Sequence, residues 1–156
     1  MIELNIKKDY IEKTKEYLKN LRVKLTKKDM LKDEIEILKE RQSLNDGIEY
    51  GCSIQNSSYK SIADLIESYD TQITHREAQI DKIDFSMRMY EIYSRELTDT
   101  EKNIINLRYL KNKRKNGSFE YIAEKLKYSK SQVARMHDEA IEKLAFYIYG
   151  EEATYV

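Results

Sequence analysis

Apolar residues repeat along the chain with the spacing of α-helices, in two long segments and three short ones. The first long segment, around residues 6–44, has a coiled-coil-like seam with positions seven apart, at Leu4, Ile11, Leu18 and Leu25. The second, over 59–95, alternates spacings of four and three, at Ile66, Tyr69, Ile73, Arg76, Ile80, Ile83, Met87 and Tyr90, all of them apolar or aromatic except Arg76. An apolar stripe of this length cannot face water. We therefore expect either the first helix, folded back, or a second copy of the chain to cover it.

Three features interrupt these long segments. Arg76 stands on the second seam, and we expect it to pair with an acid of the partner helix and to fix the register. The first seam changes phase after Thr26, where Leu31 begins a new offset, which predicts a kink or break. Gly, Asn, Asp and Ser cluster over residues 45–58, which predicts a loop.

Three shorter helices are predicted in the last third of the chain. Thr98 and Glu101 have the spacing of a capping box at the start of the first. Ser118 and Ser129 are N-cap candidates for the other two. The apolar stripes that follow these caps consist of Phe119, Ile122, Ala123 and Leu126, and then of Val133, Met136, Ala140, Ile141, Leu144 and Ile148.

Only residues 127–129 separate the last two helices. Two helices joined by a turn of roughly three or four residues form the helix-turn-helix, which places its second helix in the major groove of DNA. A small helical bundle with no such role would show the same spacing. We expect Ala123 to lie where the two helices cross most closely, because a larger side chain would push them apart.

The pattern as a whole predicts an all-α protein. A long N-terminal helical hairpin, residues 1–96, would serve oligomerisation or partner docking, and a three-helix helix-turn-helix domain would occupy 97–150, with a tail over 151–156. The absence of Pro and the presence of only four Gly favour long helices. The formal charges balance, but residues 97–150 hold eleven Lys and Arg against seven Asp and Glu. A modestly basic end suits a DNA-binding module.

Composition narrows the location and the class of function. Cys52 is the only cysteine, so no intrachain disulfide can form and a reducing cytoplasm is expected. The sequence has no apolar run that could span a membrane, and its start is too rich in Lys and Glu for a signal peptide. His75 and His137 have no second ligand at metal spacing, so we interpret both as surface or edge residues. Without a phosphate-binding loop or nucleophile elbow, we expect neither an enzyme nor a cofactor or metal.

The C-terminal third resembles region 4 of bacterial sigma factors. The resemblance is carried by three blocks in order, LTDTEKNIINLRY, SFEYIAEKL and YSKSQVARMHDEAIEKL. The turn position that often holds Gly in region 4 is Lys127 here. Lys127 must therefore either adopt a left-handed conformation, at about 1 kcal/mol, or reshape the turn.

Over its whole length the chain is similar to the ArpU/RinA-type phage regulators of late transcription. The residues that carry this wider resemblance are Gly47, Ile48, Glu49, Tyr50, Leu97, Glu101, Leu107, Arg108, Tyr109, Ile122, Ala123, Tyr128, Ser129, Lys143 and Leu144. The resemblance implies a phage- or prophage-encoded regulator of late genes that binds double-stranded DNA in a bacterial host cell. Host RNA polymerase is then a candidate partner.

The outward face of the last helix supplies the candidate base-reading residues, Lys130, Ser131, Gln132, Ala134 and Arg135. Arg135 is the best candidate for reading guanine, and Gln132 could read adenine. The region 4 resemblance implies promoter contacts at four of these, Lys130, Ser131, Ala134 and Arg135. The candidate phosphate contacts are Lys111, Lys113, Arg114, Lys115 and Ser129. The basic segment among them could equally be a solvated loop.

Three functions remain open from the sequence. The leading one is a sequence-specific transcription regulator. Its helical hairpin would either dimerise it or dock it on another protein. The second is a DNA-packaging component such as a small terminase subunit, which would form large rings. The third is a region 4 mimic that binds RNA polymerase or a sigma factor without touching DNA. Solution mass and the salt dependence of binding to a random duplex would distinguish them.

Overall fold

A computed structural model describes the backbone of residues 4–51, 56–111 and 117–155, and their side chains except at 45–51, 56–63 and 66. This part of the chain contains five α-helices and no strand, which confirms the all-α prediction. The helices are α1 (Lys8–Gly51), α2 (Asn56–Tyr93), α3 (Asp99–Ile105), α4 (Phe119–Leu126) and α5 (Lys130–Tyr149).

The residues group into two compact units. One joins Met1–Val23 to Ser86–Val156 and contains parts of all five helices; we call it the five-helix unit. The other, Lys24–Phe85, contains only parts of α1 and α2, and we call it the two-helix unit. This division differs from the predicted boundary between residues 96 and 97.

The main core of the five-helix unit explains that difference. Its buried members are Leu18, Leu21, Tyr90, Leu97, Ile105, Tyr109, Ala140, Ile141 and Leu144. Seam residues near the start of α1 and the end of α2 thus pack with the apolar stripe of α5. That stripe is too wide for α3 and α4 alone to cover, so the ends of the long helices belong to the same core.

The segment predicted as a C-terminal tail packs instead of extending. A 3₁₀ turn covers Gly150–Ala153, and Ala153 is fully buried in a small cluster with Ile6 and Ala145. The amide of Lys7 donates to the carbonyl of Ala153 at 2.7 Å. Backbone bonds across the two ends of the chain compensate the polar groups that this packing removes from water. Val156 lies outside the described residues.

In the two-helix unit, α1 and α2 run antiparallel. Arg76 of α2 donates from Nε to Oε2 of Glu34 in α1 at 2.8 Å, which confirms the expected pairing of this seam arginine. Two further contacts lie on either side of it, Lys28 with Asp84 and Gln42 with Asp70. The buried apolar side chains described in this unit are Leu31, Ile35, Ile73 and Ile83.

Two predictions about the long helices differ from the structure. Of the kink or break predicted near Thr26, the break is wrong, because α1 runs without interruption from Lys8 to Gly51, and the kink stays a prediction. The predicted loop over 45–58 is also too long: 45–51 belong to α1 and 56–58 to α2, and 52–55 lie outside the described residues. Glycine and the short polar residues disfavour a helix by at most about 1 kcal/mol each, and extending an existing helix avoids the larger penalty of nucleating one.

Candidate nucleic-acid interface

The starts of the three short helices are capped as the sequence predicts. Thr98 and Glu101 form the predicted capping box of α3. At α4, Ser118 Oγ accepts from the amide of Tyr121 at 3.2 Å. Ser129 caps α5 in a second box, in which its Oγ accepts from the amide of Gln132 at 3.2 Å. These caps satisfy amides that have no partner within their own helix and so define where each helix begins.

The turn between α4 and α5 depends on one left-handed residue. Lys127 has φ 62° and ψ 43°, so it adopts the left-handed conformation, which was the first of the two predicted alternatives. The amide of Tyr128 then donates to the carbonyl of Ala123 at 3.0 Å, as in a Schellman ending. Among the described residues, Lys127 is the only non-glycine with a positive φ. Ala123 is buried in one cluster with Val133 of α5, where the two helices pack.

Helix α5 has two clearly different faces. Its buried residues are Val133, His137, Ala140, Ile141, Leu144 and Ala145. On the opposite side Lys130, Ser131, Gln132, Arg135 and Asp138 are exposed, and Ala134 is half-buried. The face that the sequence assigns to base reading is therefore open in the single chain.

The predicted base-reading side chains differ in their present partners. Lys130 Nζ lies 2.6 Å from Glu120 Oε1 of α4, and this hydrogen bond lowers the pKa of Glu120. Gln132 Oε1 accepts from the amide of Ser129 at 3.1 Å as the second half of the capping box. Arg135 forms no hydrogen bond or ion pair with another described residue. Of the three, Arg135 is the side chain that can meet a ligand without giving up an internal bond.

The predicted phosphate contacts are only partly within the described residues. Lys111 and Ser129 are exposed, and Lys113, Arg114 and Lys115 lie outside the described residues. Arg108 Nη1 donates to the carbonyl of Gly117 at 2.9 Å, and its guanidinium lies 4.0 Å from the centre of the Phe119 ring. Arg108 therefore ties the π-helical turn Asn106–Leu110 to the start of α4.

His137 is buried, so its interpretation as a surface or edge residue was wrong. Its Nε2 lies 2.8 Å from the hydroxyl of Tyr109, and its Nδ1 lies 3.0 Å from Asp138 Oδ1. Because the Asp138 carboxylate can only accept, Nδ1 of the neutral ring is the donor, and Nε2 accepts from the Tyr109 hydroxyl, whose pKa burial raises. The imidazole proton is then on Nδ1 and points to Asp138. Burial also lowers the pKa of His137, which favours the neutral ring.

A signal for this burial was present in the sequence. His137 follows Val133 by four residues and precedes Ile141 by four, so it falls on the apolar stripe of α5. A buried imidazole needs hydrogen-bond partners, and neither Tyr109 nor its distance from His137 could be read from the sequence spacing.

A partly buried ion pair provides a second attachment for α5. Lys143 Nζ lies 2.9 Å from Oε1 of Glu101, and the same oxygen accepts the amide of Thr98 at 3.0 Å. The pair joins the start of α3 to the middle of α5. Among the described residues, no three His, Cys, Asp or Glu side chains form a group that could hold a metal ion.

Comparisons with other proteins identify no relative of this chain. Within the described part of the chain, no helix combines the length and the apolar character needed to cross a membrane. No protein-family model, no curated protein and no solved structure matches the chain.

Proposed function

We propose that this protein is a sequence-specific transcription regulator that binds double-stranded DNA, with α4, the turn and α5 acting as a helix-turn-helix. The observation that carries the proposal is the exposed polar face of α5, opposite a face buried in the core. A recognition helix needs both, because one face must hold it in the protein while the other enters the major groove.

The side chains on this face suit contact with base edges. Arg135 has a guanidinium, which can form two hydrogen bonds to guanine, and such a contact discriminates between bases by about 1–3 kcal/mol. Ser131 and Ala134 are small enough to let the helix approach closely, and the Ala134 methyl can touch a thymine methyl. Lys130 can turn from Glu120 to DNA, whereas Gln132 would have to leave its capping box to read adenine.

The surrounding contacts hold this face rigidly. The Tyr109–His137 bond and the Glu101–Lys143 pair attach α5 at two points, and the Lys127 turn defines its start. A reading side chain on a firmly held helix loses less conformational entropy on binding than one on a loop. Lys111, Ser129 and the basic residues 113–115 would add phosphate contacts, which give affinity without sequence preference.

The remaining parts of the proposal rest on the sequence, the first three on the resemblance and the homodimer on the apolar seams. They are a phage or prophage origin, action on late genes, a contact with host RNA polymerase, and a homodimer formed through a hairpin of the two long helices. Measured mass separates this proposal from a ring-forming packaging subunit. A protein that binds polymerase or a sigma factor but no duplex would instead be a region 4 mimic.

Duplex binding and base reading can be tested together. Sites selected from a random duplex pool should yield a consensus, and Arg135→Ala should relax one base pair of it at about 1–3 kcal/mol. Lys111→Ala should weaken all duplexes about equally and flatten the salt dependence, because it removes a phosphate contact. Competition titrations at several salt concentrations measure both effects.

Arg88→Ala is the matched control, since Arg88 is also exposed but lies on α2. It should change neither the consensus nor the salt slope. The proposal fails if no duplex is bound at low salt, and the role of Arg135 fails if its loss weakens every sequence equally.

A further inference from the structure

The outer surface of α1 in the two-helix unit presents a regular apolar stripe to solvent. Met30, Ile37 and Leu44 are 54%, 56% and 68% exposed and stand seven residues apart. In the sequence the same spacing begins at Val23. Isolated exposed apolar residues are common on protein surfaces, but a seven-residue repeat keeps them on one line of a helix, as in helices that pair with a further helix.

This stripe is directed away from α2. Ile37 follows the buried Ile35 by two residues, or about 200° around the helix. Leu44 likewise follows Gln42, whose amide bonds to Asp70 of α2, by two residues. Helix α2 therefore occupies one side of α1 and cannot cover the stripe on the other side. The stripe is a second seam, distinct from the one that α2 fills.

The charges beside the stripe select its partner. Lys27 precedes Met30 by three residues and Glu34 follows it by four, so both lie on one flank of the stripe. Consider two antiparallel copies of α1 related by a two-fold axis at Met30. Lys27 of one copy and Glu34 of the other then lie on the same flank of the helix pair. Along the helix axis, the positions of these two residues differ by only about 2 Å. Arg76 bonds Oε2 of Glu34, and a carboxylate has a second oxygen for Lys27.

A parallel pairing would be less favourable. It would bring Glu34 of one copy beside Asp33 of the other, twice in the dimer, and like charges at this distance repel. We infer that the Met30–Ile37–Leu44 stripe is the contact surface of an antiparallel homodimer centred on Met30. The inference gives the oligomer of the proposed function a specific surface.

Sedimentation equilibrium of the full chain without DNA tests the stripe. The wild type should have twice the mass of one chain, and Met30→Glu with Ile37→Glu should weaken self-association at least tenfold, a loss of about 1.4 kcal/mol or more. Phe85→Glu is the matched control, because Phe85 is 66% exposed on α2 of the same unit. It should leave the mass unchanged, and circular dichroism should show equal helix content in all three proteins. A monomeric wild type, or a dimer that the double variant leaves intact, overturns the inference.

Single-cysteine variants test the orientation and do not require a charged substitution. In a Cys52→Ser background, Met30→Cys should form a disulfide between copies under mild oxidation. Ile37→Cys should not, because the two positions would be separated by about 21 Å along the antiparallel pair. Rapid cross-linking of both variants would indicate a parallel pair, and cross-linking of neither would indicate another surface; both results contradict the inference. These measurements contain no DNA, so this inference and the proposed function can fail separately.

Discussion

The two units of the chain bury their apolar residues in different ways. In the five-helix unit, residues such as Leu18, Ile104 and Leu144 have no exposed surface and are surrounded on all sides. In the two-helix unit, the described apolar core is one narrow seam supported by polar links such as Arg76–Glu34. Two helices can cover only one stripe of each other, whereas five can enclose a volume. This difference indicates that packing constrains side-chain positions more closely in the five-helix unit than in the two-helix unit.

Truncating one core residue in each unit tests this contrast and should give the largest effects. Leu144→Ala should lower the free energy of unfolding by about 3–5 kcal/mol, because the enclosing residues cannot collapse into the cavity. Ile73→Ala should cost nearer to 2 kcal/mol, because its site lies at the edge of a two-helix layer where solvent and neighbours can close in. Urea denaturation measures both values. A larger loss for Ile73→Ala would contradict the contrast.

Acid should destabilise the five-helix unit through His137. The pKa of the folded imidazole is lowered by burial, although Asp138 opposes this, so the unfolded chain takes up a proton first as the pH falls. Stability from this group is therefore complete above the ordinary pKa of about 6.5 and is lost as the pH falls from there toward the lower folded pKa. In urea denaturation between about pH 7 and 5, the free energy of unfolding should fall less with acid in His137→Gln than in the wild type.

His75→Gln provides the comparison for that measurement, because it removes an exposed imidazole from the two-helix unit. Its free energy of unfolding should fall with acid as much as that of the wild type. If that of His137→Gln falls as much, the buried ring is not the source of the fall.

Strain at the Lys127 turn should give the smallest effect. The positive φ values among the described residues belong to Lys127 and Gly150, both in the five-helix unit. Lys127→Gly should stabilise the protein by about 0.5–1 kcal/mol, since glycine adopts this conformation without a Cβ clash. Lys125→Gly, two residues earlier within α4, should instead destabilise it by about 1 kcal/mol. Thermal unfolding of the two variants should shift in opposite directions.

Local features of the fold and the candidate site were predictable from the sequence. Ser118 and Ser129 cap their helices because a short hydroxyl side chain before an apolar stripe satisfies the first amides. The exposed position of Arg135 follows from the stripe of α5 on the opposite side, since a helix with one buried face must present the other outward. These features depend on residues within about two turns of one another, and that range is visible in a linear pattern.

Features that depend on distant residues were not predictable in the same way. Of the kink or break predicted near Thr26, the break was wrong because a change of seam phase need not interrupt the backbone of a helix. The boundary at residue 97 differs because Leu18 and Tyr90 pack with α5. The exposed stripe through Met30 became recognisable only when α2 was seen to occupy the other side of α1.

The sequence by itself therefore determined that the chain is helical, where the short helices begin, and which face of α5 is polar. Only the tertiary structure decided that His137 bonds to Tyr109, that the C-terminal turn packs against Ile6, and which of two seams on α1 is filled. The physical reason is the distance along the sequence over which each interaction acts. Capping and amphipathic periodicity act within a few residues, whereas burial depends on which apolar surfaces meet, and many pairings satisfy the same local pattern.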